Sequence, residues 1–147
     1  MIKKEKYSAS ILVIGDEILS GRTQDTNSNY IAKKMSEIGI EVSEIRVIPD
    51  EKETIIESVN ELRKINDYLF TTGGIGPTHD DITAESIALA FNVEININQD
   101  AFNVLENYYK EIGSPFNEVR QRMARIPSGA ILIDNPISKA PGFKLEN

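Results

Sequence analysis

The chain has 147 residues, 40% hydrophobic and 27% charged, with a formal net charge of −7 and no cysteine. That length supports one domain with a real core, the acidic balance argues against nucleic acid as a partner because phosphates need a basic face, and the missing thiols remove cysteine nucleophiles, disulfides and thiolate metal sites. Early lysines precede the apolar run Ile11–Ile14, which is too short for a signal-peptide core, and no stretch reaches membrane-spanning length, so a soluble, cytoplasmic protein with no membrane partner is expected.

Ser10 to Gly15 is a continuous apolar run ending in glycine, the pattern of a strand buried on both faces. A polar loop, Asp16 to Asp25, follows. Asn27 to Ile38 reads as a helix with Ile31, Met35 and Ile38 on one stripe, capped by Asp25 or Thr26 and ended by Gly39. Ile40 to Ile48 reads as an alternating second strand that stops at Pro49. Glu51 to Ile65 is a helix with Ile55, Val59 and Leu62 on one face, and Tyr68 to Thr72 is the third strand. Another helix starts near Ile82. Beyond it come a short strand in Val93 to Ile97, a helix from Gln99 to Ile112 with Leu105, Tyr108 and Ile112 inward, a helix opening at Ser114-Pro115 and carrying Arg120, Arg122 and Arg125, and a strand at Ile131 to Ile133. There is no internal repeat, low-complexity tract or linker. The order βαβαβα predicts parallel strands joined by right-handed crossovers.

Ligands of such sheets gather beyond the carboxyl ends of the strands. The loops after strands one and three, "GDEILSGRTQDTN" (Gly15 to Asn27) and "TTGGIGPTHDD" (Thr71 to Asp81), both open there and are expected to contribute to one site. Gly73, Gly74 and Gly76 allow close approach of backbone to a ligand, and a helix start behind them favours an anion. No lysine follows, so the loop is neither a P-loop nor a dinucleotide fingerprint. Of the two aspartates, Asp81 suits a helix cap, with Thr83 as the alternative. That leaves Asp80 free for a divalent ion such as Mg²⁺, which binds carboxylates and phosphates together. Asp16 and Glu17, directly after a buried strand, face the same edge, while Asp25 is more plainly a cap. His79, the only histidine, has no nucleophile beside it and reads as a solvated turn residue, and the three arginines read as a solvated helix face.

Taken together, "VIGDEILSGRTQDTNSNYIAKKMSEIGIEV", "TTGGIGPTHDDITAESIA" and "NPISKAPGF" closely resemble the molybdopterin-binding (MoaB/Mog-like) domain family, from about Ser8 onward. The GGxGPTxDDxT form with GDExLxG upstream is similar to the N-terminal domain of competence/damage-inducible protein A, the CinA-like branch. The resemblance implies a three-layer αβα sandwich with a mainly parallel sheet. It implies molybdopterin or a pyrophosphate-containing nucleotide such as ADP-ribose as ligand, metal-dependent ADP-ribose pyrophosphatase activity, and a homo-oligomer. The motif positions it carries over are Gly15, Asp16, Glu17, Asp25, Asn27, Thr72, Gly73, Gly74, Gly76, Asp80, Asp81 and Thr83, with Pro141 and Gly142 at the site edge. Asp80 and Asp81 would be catalytic, and both, with Asp16, would hold the metal. Adenylyl transfer to molybdopterin and non-catalytic binding are the alternatives. Two departures from that branch are expected: no deamidase domain is read in these residues, so that activity is not inferred, and Asn147 is read as lying in mid-hairpin. The expectation is a single domain, 1–147, lacking its last strand and tail, with a sheet edge left unpaired.

Overall fold

A computed structural model describes residues 6–147; the early lysines Lys3 and Lys4 lie outside the described residues. The chain divides into two compact units, Met1–Gly73 and Gly74–Asn147.

In the first unit the order is β1 (Tyr7–Ile14), α1 (Asp16–Leu19), α2 (Asn27–Glu37), β2 (Ile40–Ile48), α3 (Lys52–Ile65) and β3 (Tyr68–Thr72). The strands form a parallel sheet in the order β2-β1-β3. β1 is central, and Ile11, Leu12, Val13 and Ile14 are all buried, as a strand covered on both faces requires. The chain leaves β1 through α2 to reach β2 on one side, then returns through α3 to β3 on the other. Two right-handed crossovers in opposite directions place their helices on opposite faces of the sheet. The unit is therefore helix, sheet, helix: the three layers expected. α3 buries Ile55, Val59 and Leu62, the stripe read from the sequence.

Three local readings are corrected here. The polar loop after β1 contains a helical turn, α1, with Asp16 and Glu17 in it, where negative charge complements the exposed N–H groups. α2 ends at Glu37, so Ile38 lies past the stripe and is exposed. And β2 does not alternate simply. Its apolar residues fall at 40, 42, 45, 47 and 48, out of phase after Ser43. The ladder absorbs the slip: Ala9 pairs with Val42 but Ser10 pairs with Glu44, leaving Ser43 as an extra residue. Paired residues of a ladder share a face, so Tyr7, Ala9, Ile11 and Val13 lie with Ile40, Val42, Ile45 and Val47. The bulge is tied down by Asn66, whose Nδ2 donates to the Oγ of buried Ser10 at 2.6 Å while its Oδ1 accepts from Ser43 Oγ at 2.7 Å.

In the second unit the elements are α4 (Thr83–Phe91), β4 (Ile95–Ile97), α5 (Gln99–Glu111), α6 (Glu118–Gln121), a 3₁₀ turn (Arg122–Ala124), β5 (Arg125–Pro127), β6 (Ile131–Ile133) and β7 (Gly142–Lys144). β4 pairs with β5 and β6 with β7, both antiparallel. Ala101, Leu105, Ala124 and Ile126 form a core cluster, with Phe102, Tyr109, Phe116, Leu132 and Phe143 packed on it. On α5 the inward stripe is thus 101, 105 and 109, with Leu105 inward as expected. Ile112 lies beyond the helix and is exposed, and Tyr109 packs on the core where Tyr108 was expected.

The helix expected at Ser114-Pro115 begins instead at Glu118, capped by Asn117, whose Oδ1 accepts the Arg120 N–H at 3.1 Å. Ser114 and Pro115 serve as acceptors: Arg120 Nη1 donates to Ser114 Oγ and to the Pro115 carbonyl, each at 2.6 Å. The same guanidinium lies 4.5 Å from the Tyr109 ring centroid. Arg125 is in β5, 3.9 Å from Glu85. The three arginines therefore do not form one solvated helix face.

α5 has its own cap. Asn98 Oδ1 accepts the Ala101 N–H at 3.0 Å. Asn98→Ala is expected to cost about 1 kcal/mol, read as a lower urea midpoint at an unchanged slope.

Candidate functional site

At the carboxyl edge of the first unit, three strand ends converge on the segment after β1. The Gly15 N–H donates to the Ile48 carbonyl at 3.0 Å, continuing the β1–β2 ladder by one residue. The Asp16 N–H donates to Asp50 Oδ2 at 3.0 Å, so a carboxylate just past β2 holds the start of α1. Glu17 folds its carboxylate back over Gly15, where any Cβ would stand 2.8 Å from it. The Glu17 carbonyl accepts the Thr23 N–H at 3.0 Å, closing the loop that returns to α2. Asp25, one residue before the cap position Thr26, accepts the Ser28 N–H at 3.1 Å and the Ser28 hydroxyl. Asn27, the first residue of α2, is exposed.

Thr72 closes β3 opposite Val13 of β1. Gly73 follows with φ of +93°, and a Cβ there would lie 1.9 Å from the Ile14 carbonyl oxygen. No side chain fits this position. The backbone leaving β3 is pressed against the end of β1, at the place where the strand order reverses and open α/β sheets take their ligands.

The second unit opens with the rest of the glycine loop. Gly74 also has a positive φ, 62°, and its carbonyl accepts the Thr83 N–H at 3.2 Å. Asp81 does not cap α4; the cap position is Ile82, and no side chain bonds the helix start. Its carboxylate turns back instead. Asp81 Oδ2 accepts the Thr78 N–H at 2.9 Å and the Thr78 hydroxyl at 2.5 Å, and the Asp81 N–H donates to the Thr78 carbonyl at 3.2 Å. Gly76 leaves the space for this: a Cβ on it would stand 2.7 Å from Asp81 Oδ2. Asp80 and His79 are exposed, with His79 Nδ1 3.9 Å from Asp80 Oδ1, so His79 is the solvated turn residue expected.

Pro141 and Gly142 lead into β7. The turn before them is organised by Asn135, whose Nδ2 donates to the Ala140 carbonyl at 3.0 Å and whose Oδ1 accepts the Ile137 and Ser138 N–H groups.

Among the described residues no three His, Asp or Glu side chains gather as a metal cage. The donors present do fit a hard ion that keeps water and phosphate oxygens as its other ligands. Asp81 Oδ1 has no hydrogen-bond partner among the described residues, while its sister oxygen is fixed. Two residues of this region were missed in the sequence. Asp50 was findable, since it follows the strand that stops at Pro49 and so reaches the same sheet edge. Thr78 lies inside the quoted motif but shows its role only through the reversed direction of Asp81.

These features define an α/β domain with a glycine-lined strand exit and a clasped aspartate later in the same loop. The chain belongs to the family of probable molybdopterin-binding domains, whose profile matches residues 10–147. Within that family it is CinA-like. It is 39% identical over 136 residues to a CinA-like protein of Thermosipho melanesiensis, covering 92% of this chain and 34% of that one. The crystal structure of protein CinA, of unknown function, from Thermoplasma acidophilum superposes with a TM-score of 0.85 at 31% identity, over 95% of this chain and 82% of that one. The tungsten-cofactor-synthesising protein MoaB from Pyrococcus furiosus matches at a TM-score of 0.56 and 26% identity, over 76% and 68% of the two chains. A protein of Metallosphaera sedula is 41% identical over 140 residues, which are 95% of this chain and 53% of the relative. The chain spans about half the length of several curated relatives and about a third of the CinA-like ones. No helix among the described residues is long and apolar enough to cross a membrane.

Proposed function

We propose that the chain binds a nucleotide diphosphate of the ADP-ribose kind and hydrolyses its pyrophosphate bond with a divalent metal. One observation carries this reading: Asp81 is clasped through one oxygen and open at the other, in a loop whose glycines present backbone in place of side chains. Backbone N–H groups bind phosphate oxygens, and a carboxylate beside them needs a cation to avoid repelling the anion. Asp81, with Asp80 as a further candidate ligand, would hold Mg²⁺ or a similar ion, which polarises phosphorus and lowers the pKa of bound water. Gly73, Gly74 and Gly76 are the candidate phosphate contacts, with Thr72 and Thr83 at their flanks. Within the first unit Gly15, Asp16, Glu17, Asp25 and Asn27 are candidate ligand contacts; within the second, Pro141 and Gly142 are.

The second reading, binding of molybdopterin with or without adenylyl transfer, is favoured by the family itself and by the likeness to MoaB. A ³¹P NMR time course of the purified chain with ADP-ribose and Mg²⁺ separates the two. New monophosphate signals that vanish with EDTA are the expected result. Diphosphate signals that broaden without new products would point to binding alone, and an unchanged spectrum would favour the pterin.

A further inference from the structure

Thr78 is not a ligand in the proposed chemistry, yet it makes both hydrogen bonds that hold the Asp81 carboxylate. The turn does not need its hydroxyl. The Thr78 N–H to Asp81 Oδ2 bond and the Asp81 N–H to Thr78 carbonyl bond already close the segment from both sides. What the hydroxyl adds, at 2.5 Å from Oδ2, is a second donor on one carboxylate oxygen, and with it a fixed rotation of the carboxylate plane. Gly76 supports the same orientation by offering no Cβ where Oδ2 lies. A carboxylate engaged this way has one oxygen left for an ion, which makes it a monodentate ligand. Monodentate carboxylates suit small octahedral cations that retain water, of the Mg²⁺ and Mn²⁺ class, whereas Ca²⁺ accepts bidentate ones.

We propose that Thr78 is a positioning residue: its hydroxyl presents Asp81 Oδ1 as a single-oxygen ligand for a small octahedral divalent cation. The inference rests on the metal-dependent reading of the loop. Ligating carboxylates are ordinarily held by partners outside the coordination shell, and loss of such a partner weakens metal binding about 10- to 100-fold.

The test uses the whole chain, with Thr78→Val, which keeps the shape and removes the hydroxyl, and Thr78→Ser, which restores it. Mn²⁺ is titrated in the presence of ADP-ribose and followed by EPR, and kcat and KM for ADP-ribose are measured at saturating Mn²⁺. Thr78 is exposed, so both variants are expected to fold, and a urea midpoint close to the parent's checks this. The expected result is Mn²⁺ affinity about tenfold or more weaker in Thr78→Val, with kcat reduced, KM for ADP-ribose nearly unchanged and Thr78→Ser close to the parent. If the parent binds Mn²⁺ and hydrolyses ADP-ribose and Thr78→Val matches it, the positioning role is wrong while the pyrophosphatase reading stands. If the parent binds Mn²⁺ without hydrolysis, the pyrophosphatase reading falls and the affinity ratio alone decides the positioning role. If the parent neither binds Mn²⁺ nor hydrolyses, both fall together.

Discussion

Gly73→Ala is expected to lower the stability of the chain by about 4 kcal/mol, a large part of what holds a domain of this size folded. Two costs add. A non-glycine residue at φ of +93° is strained by about 1–3 kcal/mol. The new methyl must also displace the Ile14 carbonyl, 1.9 Å from where it would stand, and forcing atoms into a packed site typically costs about 1–3 kcal/mol more. The obstacle is backbone at the end of the central strand, so no side-chain rotation relieves it. Urea unfolding measures the effect. Gly21→Ala is the internal comparison: Gly21 has φ of +75° but nothing within 4 Å of its missing Cβ, so only the conformational cost of about 1 kcal/mol should appear. Equal midpoints for the two variants would mean that the strand ends are not pressed together as described.

The second large effect is on turnover. Asp81→Asn keeps an oxygen that can accept from the Thr78 N–H and hydroxyl, so the clasp and the fold should survive. It removes the negative charge. Partners one shell removed from a metal are already worth about 10- to 100-fold, so neutralising the ligand itself should lower the rate of ADP-ribose hydrolysis about 100-fold or more. Rates with excess Mg²⁺ and a urea midpoint measured together decide it. A folded variant with the parent's rate would remove Asp81 from the reaction.

Much of the first unit was legible because one-dimensional patterns determine it. The run Ile11–Ile14 suits a doubly covered strand, and the spacing of Ile55, Val59 and Leu62 suits one face of a helix. The glycine loop was legible as a place, since strand exits in parallel sheets gather at one edge. The direction of a side chain was not. Asp81 has the right residue type for a helix cap, and nothing in its spacing says that Thr78, three residues back, offers two donors against the one or two a helix start would give. Arg120 failed for a similar reason: its partners are a ring eleven residues earlier and a carbonyl five residues earlier, and such contacts leave no period. The slip in β2 was visible in the letters, but it became a bulge only once β1 lay beside it.

That bulge gives β2 one codon it could lose. Without Ser43 the remaining letters, Ile40-Glu41-Val42 and then Glu44-Ile45-Arg46-Val47, alternate without a break, and every pairing with β1 on either side of the gap keeps its partner. The strand would surrender a local twist and the hydroxyl that Asn66 Oδ1 accepts, but no apolar residue would change face. A deletion two positions later, at Ile45, has no such shelter. There the period of two would carry Arg46 to the face that Ile45 leaves and turn Val47 over to the other side. Neighbouring positions in a single strand thus differ in what a lost codon would do, and Ser43 marks where the gene could shorten while the sheet keeps its sidedness.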